Sequence, residues 1–298
     1  MSSNIGNTIL NKVQTLKNIY AVMAEKGGVG KTTMVLHLAS ALMRRGKRVL
    51  IVDSDYQCTL SKWCFGKERA ESLPVTLNDV LHDDVDPKSA VYPWNDGDYQ
   101  HPRGLVDVIP GHMNLSRTFG TYLPGKGKDG ILYLKRAITS ISSYYDFVII
   151  DSPPTITTQT LSVLRCADFV ILITDCEPAS LDGVLDFPKK VKALGLPKEN
   201  LPVFLGIVLN KYSDNLSDPK EVLRELLALQ NAPKLLTSRP IWKTSAITKL
   251  YRNNSSIWSY ALWDNPYVGR WEWKSPTSER AAKTFGEVAD LMVSRTKA

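Results

Sequence analysis

Glu25-Lys26-Gly27-Gly28-Val29-Gly30-Lys31-Thr32-Thr33 follows the apolar run Ile19 to Met23. It precedes Val35, Leu38, Ala39, Leu42 and Met43, which fall at i, i+3, i+4, i+7 and i+8. The order is strand, glycine loop, helix, the context that makes a phosphate-binding loop credible. Three glycines let the backbone fold tightly, so that successive N–H groups point into one concavity. The helix that starts there adds the positive end of its dipole. Lys31 supplies a point charge to the β- and γ-phosphates, and the Thr32 hydroxyl is placed to ligate Mg²⁺. Lys26, Gly27, Gly28, Val29, Gly30, Lys31, Thr32 and Thr33 are the expected phosphate-binding residues.

The common phosphate loop has glycine five positions before Gly30, where this chain has Glu25, followed by Lys26-Gly27-Gly28. This resembles the deviant Walker A motif, KGGxGK[ST], of the ParA/MinD superfamily of P-loop ATPases. The resemblance implies that Lys26 reaches across a dimer interface to the partner's nucleotide. It extends roughly over residues 18–250 and the last helix.

Outward from the loop, the first helix is expected over about Lys31 to Arg45, stopped by Arg44-Arg45-Gly46. Arg48 to Asp55 reads as a buried parallel strand with carboxylates at its C-terminal end, the edge where ligands bind in such sheets. Asp53-Ser54-Asp55-Tyr56-Gln57 resembles the family's DxDPQ box, with Tyr56 in place of proline. By that resemblance Asp55 positions the attacking water and Asp53 lies near Mg²⁺. Tyr145 to Pro154 closes another buried strand and resembles the family's Walker B segment, which gives Asp151 a role at Mg²⁺ through water. Lys26, Lys31 and Asp55 are the catalytic residues the resemblance implies; Thr32, Asp53 and Asp151 are its metal residues.

Further buried runs lie at Phe169 to Thr174 and Val203 to Leu209, and Leu105 to Pro110 is a candidate strand. Helical spacing marks Leu77 to Leu81, 131–141 and 181–194, the last with Pro188 expected to kink or interrupt it. Pro93 to Gly104 has the composition of a loop. Asp218-Pro219-Lys220-Glu221 reads as a helix start. Asn210, at a strand end, is either an adenine contact or a cap. Ser238-Arg239-Pro240-Ile241-Trp242 resembles the turn bordering the family's adenine pocket, with Trp242 where Asn is usual. Trp242 there either stacks on the base or packs. Asn210, Pro240 and Trp242 are the adenine candidates.

The 298-residue chain has ordinary apolar (43%) and charged (22%) content and a net charge of +7. The excess is local: residues 234–298 hold 11 Lys/Arg against 5 Asp/Glu. A basic C-terminal fifth on a nucleotide-binding domain points to an anionic partner. Lys243, Lys249 and Arg252 are the candidate DNA contacts, on charge bias and resemblance rather than on a base-reading motif. Five of the seven tryptophans lie between 242 and 273, and residues 255–275 read as an aromatic-rich insertion. They form either a partner surface or a cluster that anchors a long loop. Cys58, Cys64, Cys166 and Cys176 contain no CxxC pair, which favours reduced thiols and argues against an iron–sulfur reductase of the superfamily. No apolar run has the length of a membrane span, and the first residues do not read as a secretion signal.

The expected architecture is one α/β domain over residues 18–298, a P-loop NTPase with a doubly wound, mostly parallel sheet, after a tail or short helix at 1–17. That tail is too short for a separate DNA-reading domain. The expected function is that of a ParA-like partition ATPase using ATP and Mg²⁺. It would form an ATP-held homodimer on nonspecific DNA, with slow hydrolysis stimulated by a ParB-like centromere-binding protein. A cytoplasmic, nucleoid-associated location and no stable membrane association go with it. The alternative is a MinD-like positioning ATPase whose last helix, with Ala281, Phe285, Val288, Ala289 and Met292 on one face, lies on a membrane.

Overall fold

Ile19–Met23, Phe147–Asp151 and Phe169–Asp175 are buried along their whole length, so each needs cover on both faces of a sheet. The computed structural model describes residues 17–83, 85–96, 103–154, 157–194, 201–214, 217–228, 235–265, 270–273 and 275–296. The expected tail at 1–17 lies, but for its last residue, outside them. The strands are β1 (Ile19–Met23), β2 (Arg48–Asp53), β3 (Tyr92–Trp94), β4 (Leu105–Ile109), β5 (Phe147–Asp151), β6 (Phe169–Asp175) and β7 (Val203–Asn210). They form one sheet in the order β3-β4-β2-β5-β1-β6-β7. All neighbours are parallel except β3, which runs antiparallel to β4 at the edge. The C-terminal ends of the parallel strands therefore share one edge.

The helices are α1 (Lys31–Met43), α2 (Thr59–Phe65), α3 (Lys67–Glu71), α4 (Leu77–His82), α5 (Leu115–Arg117), α6 (Leu123–Gly125), α7 (Tyr133–Ser142), α8 (Thr158–Cys166), α9 (Pro178–Ala193), α10 (Ser217–Ala228), α11 (Ala246–Arg252) and α12 (Pro276–Thr296). A hydrophobic core lies on each face of the sheet. One is built with α1, α2, α11 and α12, the other with α4 and α7–α10. This is the doubly wound arrangement expected from the alternation of strands and helices. The four cysteines are free and buried.

Tyr92–Trp94, inside or beside the stretch read as loop, is an edge strand, and an edge tolerates the missing N–H of Pro93. Helix α9 runs uninterrupted through Pro188, because Val184, Phe187 and Val191 bury its inner face and outweigh one lost backbone bond. Helix α1 ends at Met43, two residues early. Within the stretch read as an aromatic-rich insertion, β8 (Ala261–Asn265) pairs antiparallel with β9 (Arg270–Trp273). In α12, Ala281, Phe285, Val288, Ala289 and Met292 are all fully buried in the core shared with α1. That apolar face is covered by protein and unavailable to lipid. Among the described residues no helix is long and apolar enough to cross a membrane.

Candidate nucleotide site and basic face

The loop between β1 and α1 gathers its partners from the ends of four other strands. Gly30 caps α1 at φ 104°, a conformation that favours glycine. A Cβ there would also lie 2.3 Å from Asn210 Nδ2. Asn210, buried at the end of β7, donates that amide to the Val29 carbonyl at 2.8 Å. Asn210 thus braces the loop from below through its side chain. Next to it, Lys211 Nζ donates to the Gly28 carbonyl at 2.6 Å.

Lys31 opens α1 and is only 7% exposed. Burial lowers its pKa, while Asp151 and Asp55 act in the opposite direction. Thr32 Oγ1 donates to Asp151 Oδ2 at 2.6 Å, joining the loop to the end of β5. Asp151 Oδ1 is buried and, among the described residues, has no hydrogen-bond partner. Burial, and then the neighbouring Asp53, push the Asp151 carboxyl up to about 8. The site therefore holds a buried carboxylate oxygen and a hydroxyl side by side, short of positive charge. That donor set fits a hard, oxygen-seeking dication. Among the described residues, no group of three or more His, Cys, Asp or Glu could itself hold a metal.

Asp53 and Asp55 divide their work. Asp53 is fully buried, and its Oδ2 accepts from the Ser61 N–H at 2.8 Å and the Ser61 hydroxyl at 2.6 Å. Its Oδ1 accepts from the Asp55 N–H at 3.3 Å. Burial raises it to about 6 against those bonds. Both its oxygens accept from protein donors, which fixes the carboxyl group beneath the loop. Asp55 is half-buried, and its Oδ1 accepts from the Gln57 N–H at 2.9 Å. Ser54 is anchored by its hydroxyl to the Asp151 carbonyl at 2.6 Å, and Gln159 donates to the Ser54 carbonyl.

Lys26, with 40% of its side chain exposed, pairs with Glu177 and lies 3.9 Å from Asp175 at the end of β6. Sequence reasoning passed over Asp175, Glu177, Lys211, Ser61 and Gln159. Asp175 carried the same signal as Asp53 and Asp151, an acid ending a buried strand. Ser61 and Gln159 carried none, since small polar residues inside helices have many uses.

The remaining candidates lie at the same end of the fold or on its flank. Trp242 packs on Tyr212 with ring centroids 5.2 Å apart, and the Arg280 guanidinium sits 4.3 Å over its ring. The backbone of 241–243 pairs with Tyr212, which sets the Pro240 turn beside the end of β7. Lys243, Lys249 and Arg252 are exposed, the last two on α11. Tyr251, 39% exposed, lies between them in sequence.

The AAA_31 family, described as an AAA domain, matches residues 17–201. An uncharacterized protein of Mycobacterium tuberculosis (strain ATCC 25618 / H37Rv) is 32% identical over 213 residues, 70% of this chain and 63% of that protein. The chain thus spans less than two thirds of that relative's length. The sporulation initiation inhibitor protein Soj of Bacillus subtilis (strain 168) is 32% identical over 166 residues, 56% of this chain and 61% of Soj. Among solved structures, cobyrinic acid a,c-diamide synthase of Mycobacterium smegmatis with bound ATP analog and magnesium aligns with a TM-score of 0.72. It is 27% identical and covers 95% of this chain and 96% of its own. A candidate plasmid partition protein of Borrelia burgdorferi B31 bound to AMPPNP shares the fold with a TM-score of 0.69, at 19% identity over 93% of this chain and 99% of its own.

Proposed function

The chain belongs to the AAA_31 family and to the ParA/MinD superfamily of P-loop ATPases, and from that premise we propose that it is a ParA-like partition ATPase. It hydrolyses ATP with Mg²⁺, forms an ATP-held homodimer and binds DNA without sequence preference in that state. A ParB-like partner stimulates turnover and releases it, on DNA in the cytoplasm. The observation that carries the enzymatic half is the convergence of Lys31, Thr32 and Asp151, with Asp55 at the end of the neighbouring strand.

Backbone N–H groups of Gly27–Lys31 and the Lys31 ammonium hold the phosphates. Thr32 and Asp151 would hold Mg²⁺, which when bound neutralises charge on the β- and γ-phosphates. Asp55 orients water for in-line attack, and Asp53 keeps Asp55 placed through its backbone N–H. Lys26 leaves Glu177 to reach the partner's nucleotide when two copies close. The adenine lies between the end of β7 at Asn210 and the Pro240–Trp242 turn. Catalysis is slow, because the DNA-bound state lasts only as long as ATP.

The DNA half rests on the exposed Lys243, Lys249 and Arg252 within the basic C-terminal fifth. The test is binding of a labelled random duplex, with ATP, with ADP and without nucleotide, by wild type and by Lys249→Glu/Arg252→Glu. ATP-dependent binding lost in the double variant supports the reading. Equal binding by both proteins removes DNA from this face.

A further inference from the structure

Helix α2 (Thr59–Phe65) is seven residues long and fastened at both sides. On one side Ser61 gives its N–H and hydroxyl to Asp53, and the Ser61 Oγ also accepts the Gly111 N–H at 2.9 Å. On the other side Trp63, 3% exposed, donates its indole N–H to the Ser255 carbonyl at 3.1 Å. The Trp63 ring also meets Tyr251 of α11 edge-on, with centroids 5.3 Å apart. Residues two apart on a helix point about 200° from each other, so one short rigid body has its opposite faces on two sites.

The end of α11 has other anchors, which stay with the body of the fold. Trp94 Nε1 donates to the Asn254 carbonyl at 3.2 Å. The buried Asp96 carboxylate accepts from the Ser256 N–H at 2.7 Å, from the Ser256 and Ser40 hydroxyls at 2.5 Å each, and from Arg44 at 3.3 Å. Trp63 differs from them in one respect. Its helix follows the loop that holds Asp55, which lies near enough to Lys31 to feel its charge and which the proposed function sets at the γ-phosphate, the group that distinguishes ATP from ADP. A ligand shifts an equilibrium only through contacts that differ between two states, and here that difference arises at one end of α2.

We propose that α2 reports the nucleotide state at Asp53 and Asp55 to the basic helix α11, with Trp63 as the positioning residue that makes the connection. The inference rests on the reading of Lys249 and Arg252 as DNA contacts, and it names how that binding is gated. Trp63 touches neither nucleotide nor DNA; it sets where α11 holds its cations.

The test uses the full chain with Trp63→Phe, which keeps a ring against Tyr251 and deletes the donor to Ser255. A second variant, Tyr251→Leu, removes the ring contact from an exposed position and guards against misfolding of the first. Two readouts are taken: hydrogen exchange of amides 250–256 with Mg-ATP against Mg-ADP, and the ratio of affinities for a random duplex in the two nucleotides. In wild type the exchange of 250–256 differs between nucleotides. In Trp63→Phe that difference collapses and the affinity ratio falls by up to about tenfold, the equilibrium worth of one net hydrogen bond, with ATP affinity kept. A merely structural role would weaken DNA binding equally in both nucleotides and leave the ratio intact, which overturns the proposal. Wild-type exchange at 250–256 that ignores the nucleotide also overturns it. Nucleotide-dependent exchange lost in Trp63→Phe, without DNA binding in any state, supports the relay and refutes the DNA reading alone.

Discussion

His37 lies on the face of α1 that packs under α12, and protonating it should unfasten the two. The ring is fully buried between Trp63, with centroids 5.6 Å apart, and Phe285, with centroids 4.7 Å apart, and meets both edge-on. Among the described residues, neither ring nitrogen has a hydrogen-bond partner. Burial pushes its pKa down to about 3, against a smaller upward pull from Asp96. An unfolded chain restores the ordinary value of about 6.5. The native state thus holds the neutral ring, and the unfolded chain takes up a proton first as pH falls. Stability is complete above the unfolded value, declines as pH drops below about 6.5, and stops declining near the folded value. At about 1.4 kcal/mol per pH unit, the loss between pH 7 and pH 5 is about 2 kcal/mol. Any folded value below about 4 gives the same result in that window, because the folded ring stays neutral throughout it. The comparison is wild type against His37→Leu by urea unfolding at pH 7, 6 and 5. Contributions from Asp53, Asp151 and other groups common to both proteins then cancel. The variant should gain about 2 kcal/mol on wild type between pH 7 and pH 5. A difference that does not change with pH would refute the placement of a neutral imidazole between α1 and α12.

Gly30→Ala should abolish nucleotide binding and lower stability by about 1–2 kcal/mol, the cost of a left-handed non-glycine residue, read by fluorescent-nucleotide titration and urea unfolding. Unchanged ATP affinity would contradict the brace from Asn210. Asp151→Asn should raise the melting temperature of the nucleotide-free protein by removing a buried, undercompensated carboxylate, while Mg²⁺-dependent turnover disappears. A lower melting temperature with turnover kept would overturn its assignment to the metal. Lys26→Ala should leave the melting temperature nearly unchanged, since the side chain is partly exposed, yet prevent the ATP-dependent dimer in light scattering. A dimer that persists would end the trans role of Lys26.

The sheet and its nucleotide edge could be read from the sequence because they depend on local, strongly patterned signals. Continuous apolar runs need two covered faces, and an acid at the end of such a run has nowhere to lie but the ligand edge. Asp53 and Asp151 carry that signal, and Lys26–Thr33 carry the separate signal of a glycine loop between a strand and a helix. Features made by tertiary contact were not legible. Asn210 declares a strand end, but only the fold shows that its amide reaches back to Val29. Trp242 looks the same in sequence whether it stacks on a base or lies under Arg280. Tyr92–Trp94 becomes a strand only because β4 offers an open edge. Helix α9 keeps Pro188 because buried neighbours on the same helix carry it.

The salt dependence of wild-type binding to a random DNA duplex, measured with Mg-ATP and with Mg-ADP by fluorescence anisotropy, decides whether this chain is an ATP-gated DNA-binding ATPase. Phosphate contacts by Lys243, Lys249 and Arg252 from each of two subunits predict tight binding in ATP. Its affinity should fall steeply as salt rises, with a slope on logarithmic axes of about −0.9 per phosphate neutralised, and ADP should give little binding at any salt. Binding that is absent at low salt in ATP, or equal in the two nucleotides, would contradict an ATP-gated DNA-binding ATPase.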